Sequence, residues 1–286
     1  MVHTSSDPSF DYCDADVILR SSGSLPSDFR LHKCILSMSS PFFASMFSLP
    51  QPPVSSSCKD ELPIIEAAED APVLNALFKF IYPVPDPSIT SLDELVPVLT
   101  AAAKYEMTSA LDRMRYILVA PQFLASSPVR VYAIASRFEL EDEARLASRH
   151  SLGMTILDGP LCDDLKHITA YAYHRLLNLH RTRATAAQSV LAEADASGER
   201  VRCMQCNGAQ FNSTRSYATP KWWSEWRSRA KEEVGRRPTT EVVFGLQFLM
   251  EAARESACPR CAMSVLDSYA FLDGLKAKMD ALPATI

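Results

Sequence analysis

The chain has 286 residues, enough for about two domains, and its 47% hydrophobic and 22% charged residues are the composition of a globular protein with a substantial core. A net charge of −5 gives no general pull toward nucleic acid or anionic membrane. Only 8 glycines stand against 19 prolines, which favours helices with proline-punctuated connections over glycine hairpins. The two nearest glycines, Gly153 and Gly159, are too far apart for G-x-G-x-x-G, G-x-x-x-x-G-K-[ST] or G-x-S-x-G, and no histidine begins H-E-x-x-H. Dinucleotide dehydrogenases, Walker ATPases, G-x-S-x-G hydrolases and zincin proteases therefore lose their local signatures.

In chain order, Met1 to Phe10 is polar, without the basic and apolar regions of a signal peptide, and no apolar run approaches the ~18 residues of a membrane span. An intracellular protein, cytoplasmic or nuclear, is expected. Asp16 to Arg20 is β-branched and apolar and predicts a strand; Gly23 to Asp28 is a turn; Phe29 to Lys33 alternates and predicts a second strand pairing back on the first. Cys34 to Phe47 predicts two short helices divided at Ser39-Ser40-Pro41. Leu49 to Asp60 is a Pro/Ser-rich loop, and Leu62 to Ile65 a third strand. Asp70 is placed to cap a helix through Ile81, stopped by Pro83, Pro85 and Pro87. Ser91 with Glu94 forms a capping box for a helix to about Tyr105, and Thr108 starts another to about Leu118.

Beyond residue 120 the periodicity is helical throughout. Helices are expected over 128–138, 139–152, within 161–193, and over 222–233, 241–255 and 263–282, with a polar hinge at 194–199. Glu141 to Glu143 reads as a solvated helix face. The expected organisation is three segments: 1–120, 121–195 and 196–286.

Four of the eight cysteines, Cys13, Cys34, Cys58 and Cys162, are scattered and read as small buried or half-buried apolar residues. The others form Cys203-Met-Gln-Cys206 and Cys258-Pro-Arg-Cys261; random placement would give only about 0.2 such C-x-x-C pairs. A C-x-x-C turn sets two thiolates on one edge of a metal tetrahedron, and two turns complete a structural zinc site. The pairs would then clasp a helical insertion carrying Trp222, Trp223 and Trp226 as an aromatic core. A redox dithiol and a site without cofactor are the alternatives, although the βαβ context of a thioredoxin-type motif is absent. Residues 199–237 carry 9 basic and 4 acidic side chains. Arg200, Arg202, Lys221, Arg227, Arg229, Lys231, Arg236 and Arg237 would supply phosphate contacts if this segment bound nucleic acid, the alternative to protein binding.

The first 120 residues resemble a BTB/POZ domain. The resemblance is carried by Asp14-Ala-Asp16-Val17, by Phe29-Arg-Leu-His32-Lys33-Cys34-Ile35-Leu36, by Ser40-Pro-Phe42-Phe43 with Met46-Phe47, and by Leu77-Phe78-Lys-Phe80-Ile81-Tyr82. The run from Tyr82 to Ser88, followed by Leu92 and Ala102-Ala103-Lys104-Tyr105, is similar to BTB proteins expanded in basidiomycete fungi. The resemblance implies an α+β N-terminal domain of short strands capped by helices, followed by a mainly helical region; the residues themselves predict the same core, with Phe42, Phe43, Met46, Phe47, Leu77, Phe78 and Ile81 inward. The resemblance implies a non-enzymatic protein that homodimerises or recruits protein partners, as a cullin-3 ubiquitin-ligase adaptor or a transcriptional regulator. It also places Asp16, His32 and Lys33 at a protein-interaction pocket, the alternatives being an internal Asp16–Lys33 ion pair and a hydrogen-bonded, partly buried His32.

Overall fold

The computed structural model describes residues 5–49, 62–194, 201–203, 205–206 and 219–286. The chain divides into two compact units, residues 1–126 with 138–143, and residues 127–137 with 144–286.

The first unit is built on a four-stranded sheet of order β1-β3-β2-β4. Strands β2 (Val17–Ser22) and β3 (Ser27–Leu31) form the expected antiparallel pair, with Val17 opposite Leu31 and Leu19 opposite Phe29. These four face the core while Ile18, Arg20 and Arg30 are only half-buried, so the alternation seen in the sequence follows the pleat. Gly23 closes the hairpin at φ 108°, a left-handed conformation that a side chain would strain. Across the hairpin Arg20 Nε donates to Asp28 Oδ1 at 2.7 Å.

Two features of the sheet differ from expectation. Strand β1 (Ser5–Asp11) runs parallel to β3, although its polar sequence contains Pro8 and carries no strand pattern. The third expected strand begins later and runs longer, as β4 (Ile64–Asp70), parallel to β2. Ladder pairing at these edges is not encoded by hydrophobic alternation, and β1 also buries Phe10 against Phe29 and Phe78.

Helices α1 (Lys33–Ser39) and α2 (Pro41–Ser48) are divided where expected. Ser40 is buried; its Oγ accepts from Phe43 N at 3.1 Å and donates to the Tyr105 carbonyl. Helices α3 (Ala71–Lys79), α4 (Leu92–Lys104), α5 (Thr108–Leu118) and α6 (Pro121–Ser126) complete the unit. Asp70 precedes α3 without capping it through its side chain, because its carboxylate accepts from Ser22 Oγ at 3.0 Å instead. Ser91 caps α4, and Glu94 reaches back to the Thr90 N–H at 2.9 Å. Phe43, Leu77 and Phe78 are fully buried as expected, but Phe42 is 40% exposed and Met46, Phe47 and Ile81 are half-buried. Glu143 is not on a solvated face: it is buried, and its Oε1 accepts from Arg115 Nε at 2.7 Å.

The second unit is helical: α7 (Pro128–Arg137), α8 (Glu141–Ser151, from Ala144), a 3-10 turn at Asp163–His167, α9 (Ala170–Glu193), α10 (Lys221–Arg236), α11 (Leu246–Glu255), α12 (Cys261–Asp267) and α13 (Tyr269–Asp280). Residues 241–245 form turns rather than the start of α11. The helix expected over 263–282 is broken at Ser268, whose buried Oγ donates back to the Ser264 carbonyl at 3.3 Å. The Pro/Ser-rich loop from Leu49 and the hinge at 194–199 lie almost wholly outside the described residues, as do Cys58 and Arg200. Cys13 and Cys34 are exposed rather than buried, and Cys162 is half-buried.

Candidate functional site

The C-x-x-C pairs flank helices α10 and α11 in sequence. Cys203 and Cys206 follow α9. Cys258 sits after the end of α11, where Ala257 takes φ 53°, a left-handed conformation that costs an alanine roughly 1 kcal/mol. Pro259 follows with its fixed φ, and the Cys261 N–H donates to the Cys258 carbonyl at 3.1 Å, closing the turn that opens α12. Strain and a rigid proline are thus spent on aiming two thiols inward.

All four Sγ atoms lie within 4.8 Å of one another. Cys203 Sγ is 3.7 Å from Cys258 Sγ and 3.8 Å from Cys261 Sγ, and Cys206 Sγ is 3.6 Å from Cys261 Sγ. A tetrahedron with metal–sulfur bonds of ~2.3 Å has edges of about 3.8 Å. The donor set therefore has the dimensions and softness of a tetrathiolate centre, and separations of this size are too long for disulfides. Four protein ligands would leave a tetrahedrally bound ion no open position.

The surroundings act on the thiols unequally. Burial opposes ionisation of Cys203, but the backbone N–H groups of Cys206 and Gln205 outweigh it and bring its pKa to about 6. Burial pushes the Cys206 thiol up to about 12, against the Lys221 N–H that donates to its sulfur at 3.4 Å. Burial also raises the Cys261 pKa, opposed by Ser256 and the Trp222 backbone. Without a cation Cys206 and Cys261 hold their protons at neutral pH; a divalent ion would displace them.

The sulfurs belong to the core of the second unit. Trp222, Trp223 and Trp226 on α10 are all 0% exposed and pack with Cys203, Cys258 and Cys261 in one cluster that includes Leu191, Val234 and Leu272. Trp223 stacks on Trp226 with centroids 5.0 Å apart. Trp226 Nε1 donates to the Val243 carbonyl at 2.7 Å, whereas Trp223 Nε1 is buried without a partner among the described residues. Helices α10 and α11 lie between the two pairs in sequence, so closing the site ties both ends of this helical insertion to its aromatic core.

The basic segment is partly neutralised within the unit. Arg229 lies 3.0 Å from Glu255 and 3.8 Å from Glu251, and Arg237 pairs with Glu233 on α10. These two are not free phosphate ligands.

In the first unit, Asp16 and Lys33 do not form the side-chain ion pair that is one of the two expectations. Asp16 Oδ1 accepts the backbone N–H of Lys33 at 2.6 Å, at the first turn of α1. The Lys33 ammonium lies instead 5.8 Å from the centroid of Phe47. The carboxylate, from the residue preceding β2, acts as a cap to a helix N-terminus, where it satisfies an orphan donor and complements the helix dipole. His32 is half-buried. Its Nε2 lies 3.2 Å from Asp14 Oδ1, its Nδ1 3.3 Å from Tyr82 Oη, and its ring 5.1 Å from that of Tyr12. The hydrogen bond to His32 holds the Asp14 carboxyl below its ordinary pKa. The imidazole is thus a bonded member of the Phe10–Tyr12–Tyr82 aromatic cluster. Tyr12 and Tyr82 are partners that no motif at His32 announces.

Residues 6–122 match the family model of the BTB/POZ domain, a protein-interaction domain family, so the N-terminal unit carries a BTB/POZ domain. A search of the curated proteins found no match to the chain. No helix among the described residues is long and apolar enough to cross a membrane.

Proposed function

We propose that this chain is a non-enzymatic protein-interaction protein, in which the BTB/POZ domain recruits a protein or a second copy of the chain and the C-terminal helical unit holds a further partner. The observation that carries the reading is the BTB/POZ match over residues 6–122. The second unit supports it: its one concentrated cluster of reactive groups among the described residues is a closed tetrathiol site suited to holding a fold together.

The ion proposed for that site is zinc. Zinc is borderline-soft, has no redox chemistry and favours tetrahedral thiolate coordination, which fits four sulfurs 3.6 to 3.8 Å apart along the measured edges. Bound there, it would supply folding free energy and no reaction step. A cullin-3 ubiquitin-ligase adaptor and a transcriptional regulator are the two finer roles consistent with a BTB/POZ domain. Affinity purification of the full chain from its source cells separates them. Cullin-3 or chromatin proteins should be retained stoichiometrically, alone or with a second copy of the chain. Recovery of the monomeric chain with nothing else bound would overturn the reading.

A further inference from the structure

The second unit contains a cleft of about 660 Å³, lined by α9, the 155–158 segment that follows α8, and the C-terminal end of α10. That volume lies within the ~300–1,000 Å³ of ordinary ligand clefts. Its walls are of two kinds. Ile156, Leu157, Leu177, Ala184 and Pro238 are apolar, and Leu157 is 78% exposed. The charged lining consists of Arg181 and Arg236 against one aspartate, Asp158, a net charge of +1. Arg181 and Arg236 are exposed, and neither has a carboxylate partner among the described residues. They differ in this from Arg229 and Arg237, which fold onto acidic neighbours.

Two polar groups of the lining, His180 and Gln188, have their hydrogen-bonding direction set by neighbours outside the cleft. Buried Ser151 donates its only hydroxyl proton to the Ser148 carbonyl at 2.7 Å. Its oxygen also lies 3.0 Å from His180 Nε2, so that nitrogen must carry the proton of this second bond. The ring is left with Nδ1 as an acceptor. Burial lowers the His180 pKa to about 4, so the imidazole stays neutral at pH 7. Gln188 Nε2 donates to the Lys231 carbonyl at 2.9 Å, which leaves its Oε1 as a second acceptor. An occupant with N–H groups for these acceptors, apolar side chains for Leu157 and Leu177, and carboxylates for the two arginines has the chemistry of an acidic, apolar peptide.

From this charge and hydrogen-bond complementarity we infer that the cleft is a docking site for a short peptide segment of a partner protein bearing apolar side chains flanked by Asp or Glu. The inference rests on the interaction reading and deepens it by assigning the partner-holding role of the second unit to this cleft.

The test is selection of a random dodecapeptide phage library on the full-length protein, followed by fluorescence anisotropy with the enriched peptides. Enriched sequences should combine Leu, Ile or Phe with Asp or Glu. Binding should weaken by about tenfold or more when the peptide carboxylates become amides, or when the protein carries Arg181→Glu with Arg236→Glu. Both arginines are exposed, so the double variant should keep the wild-type tryptophan emission and melting. If the reversal disturbs folding, the peptide amide series on the wild-type protein decides alone. Enrichment without acidic residues, equal affinity for acidic and amide peptides, or no enrichment would overturn the inference. Oligomeric state and zinc content, measured on the same samples, report separately on the interaction reading.

Discussion

Arg183 sits in the middle of α9, only 7% exposed, where a guanidinium is costly unless every donor is used. Its Nε donates to the Pro238 carbonyl at 2.9 Å and its Nη2 to that of Met279 at 3.2 Å. Its Nη1 donates to the Leu282 carbonyl and, at 2.9 Å, to that of Pro283. Burial lowers the Arg183 pKa, with the charge of Asp280 opposing. One side chain thus ties α9 to the turn after α10 and to the end of α13. Arg183→Met keeps most of the stem but removes the donors. The Leu282 and Pro283 carbonyls can turn to water if residues 282–286 lift away, but those of buried Pro238 and Met279 lose a charged donor in place. At roughly 1–3 kcal/mol for each stranded group, partly offset by relief of the buried charge, the cost is about 3 kcal/mol. Tryptophan emission during urea unfolding is the assay, because all three tryptophans lie in the second unit. With an m-value of about 2 kcal/mol/M, the midpoint should fall by about 1.5 M. Arg183→Lys, which offers a point charge instead of a fork, should fall between. A midpoint shift under about 0.3 M in Arg183→Met would refute the reasoning.

Other consequences follow from the same contacts. Asp16→Ala should cost about 1 kcal/mol through loss of the cap on α1, whereas Lys33→Met should change melting by less than about 0.5 kcal/mol, since only the lysine's backbone meets Asp16. Thermal melts decide this, and equal losses for the two variants would count against it. Trp226→Phe strands the Val243 carbonyl while Trp223→Phe removes a donor already without a partner, so the first should be the more destabilising by roughly 1–3 kcal/mol in urea titration. Metal binding should strengthen as pH rises. In the metal-free fold Cys206 and Cys261 have raised pKa values and are protonated at pH 7, while Cys203, at about 6, is largely thiolate. Zinc binding at pH 7 should therefore release about two protons or more, and affinity should fall as pH drops; calorimetry in buffers of different ionisation enthalpy reads the number.

The first unit's central hairpin was legible because β2 and β3 alternate with a buried face, and the divided α1–α2 pair because Ser40-Pro41 carries its own cap chemistry. Strand β1 was not, because Phe10 is the one large apolar residue among its seven and shows no alternation, although it is buried against Phe29 and Phe78 once the strand pairs with β3. Phe42 reads as core by composition, yet its position on α2 leaves it at the surface. Spacing alone announced the four site cysteines. The convergence of pairs separated by α10 and α11 is tertiary, as is the strain at Ala257 that aims Cys258. Arg183 and the His180–Ser151 contact were invisible for the same reason: a polar side chain within a helix looks like solvated surface until its partners arrive from distant segments.

The central claim joins an interaction domain to a metal-clasped helical unit, and native mass spectrometry of the full-length protein tests both halves in one spectrum. The account predicts a dimer carrying one zinc ion per chain, with the metal lost from a Cys258→Ser variant. A monomer of bare polypeptide mass, unchanged by added zinc, would contradict it.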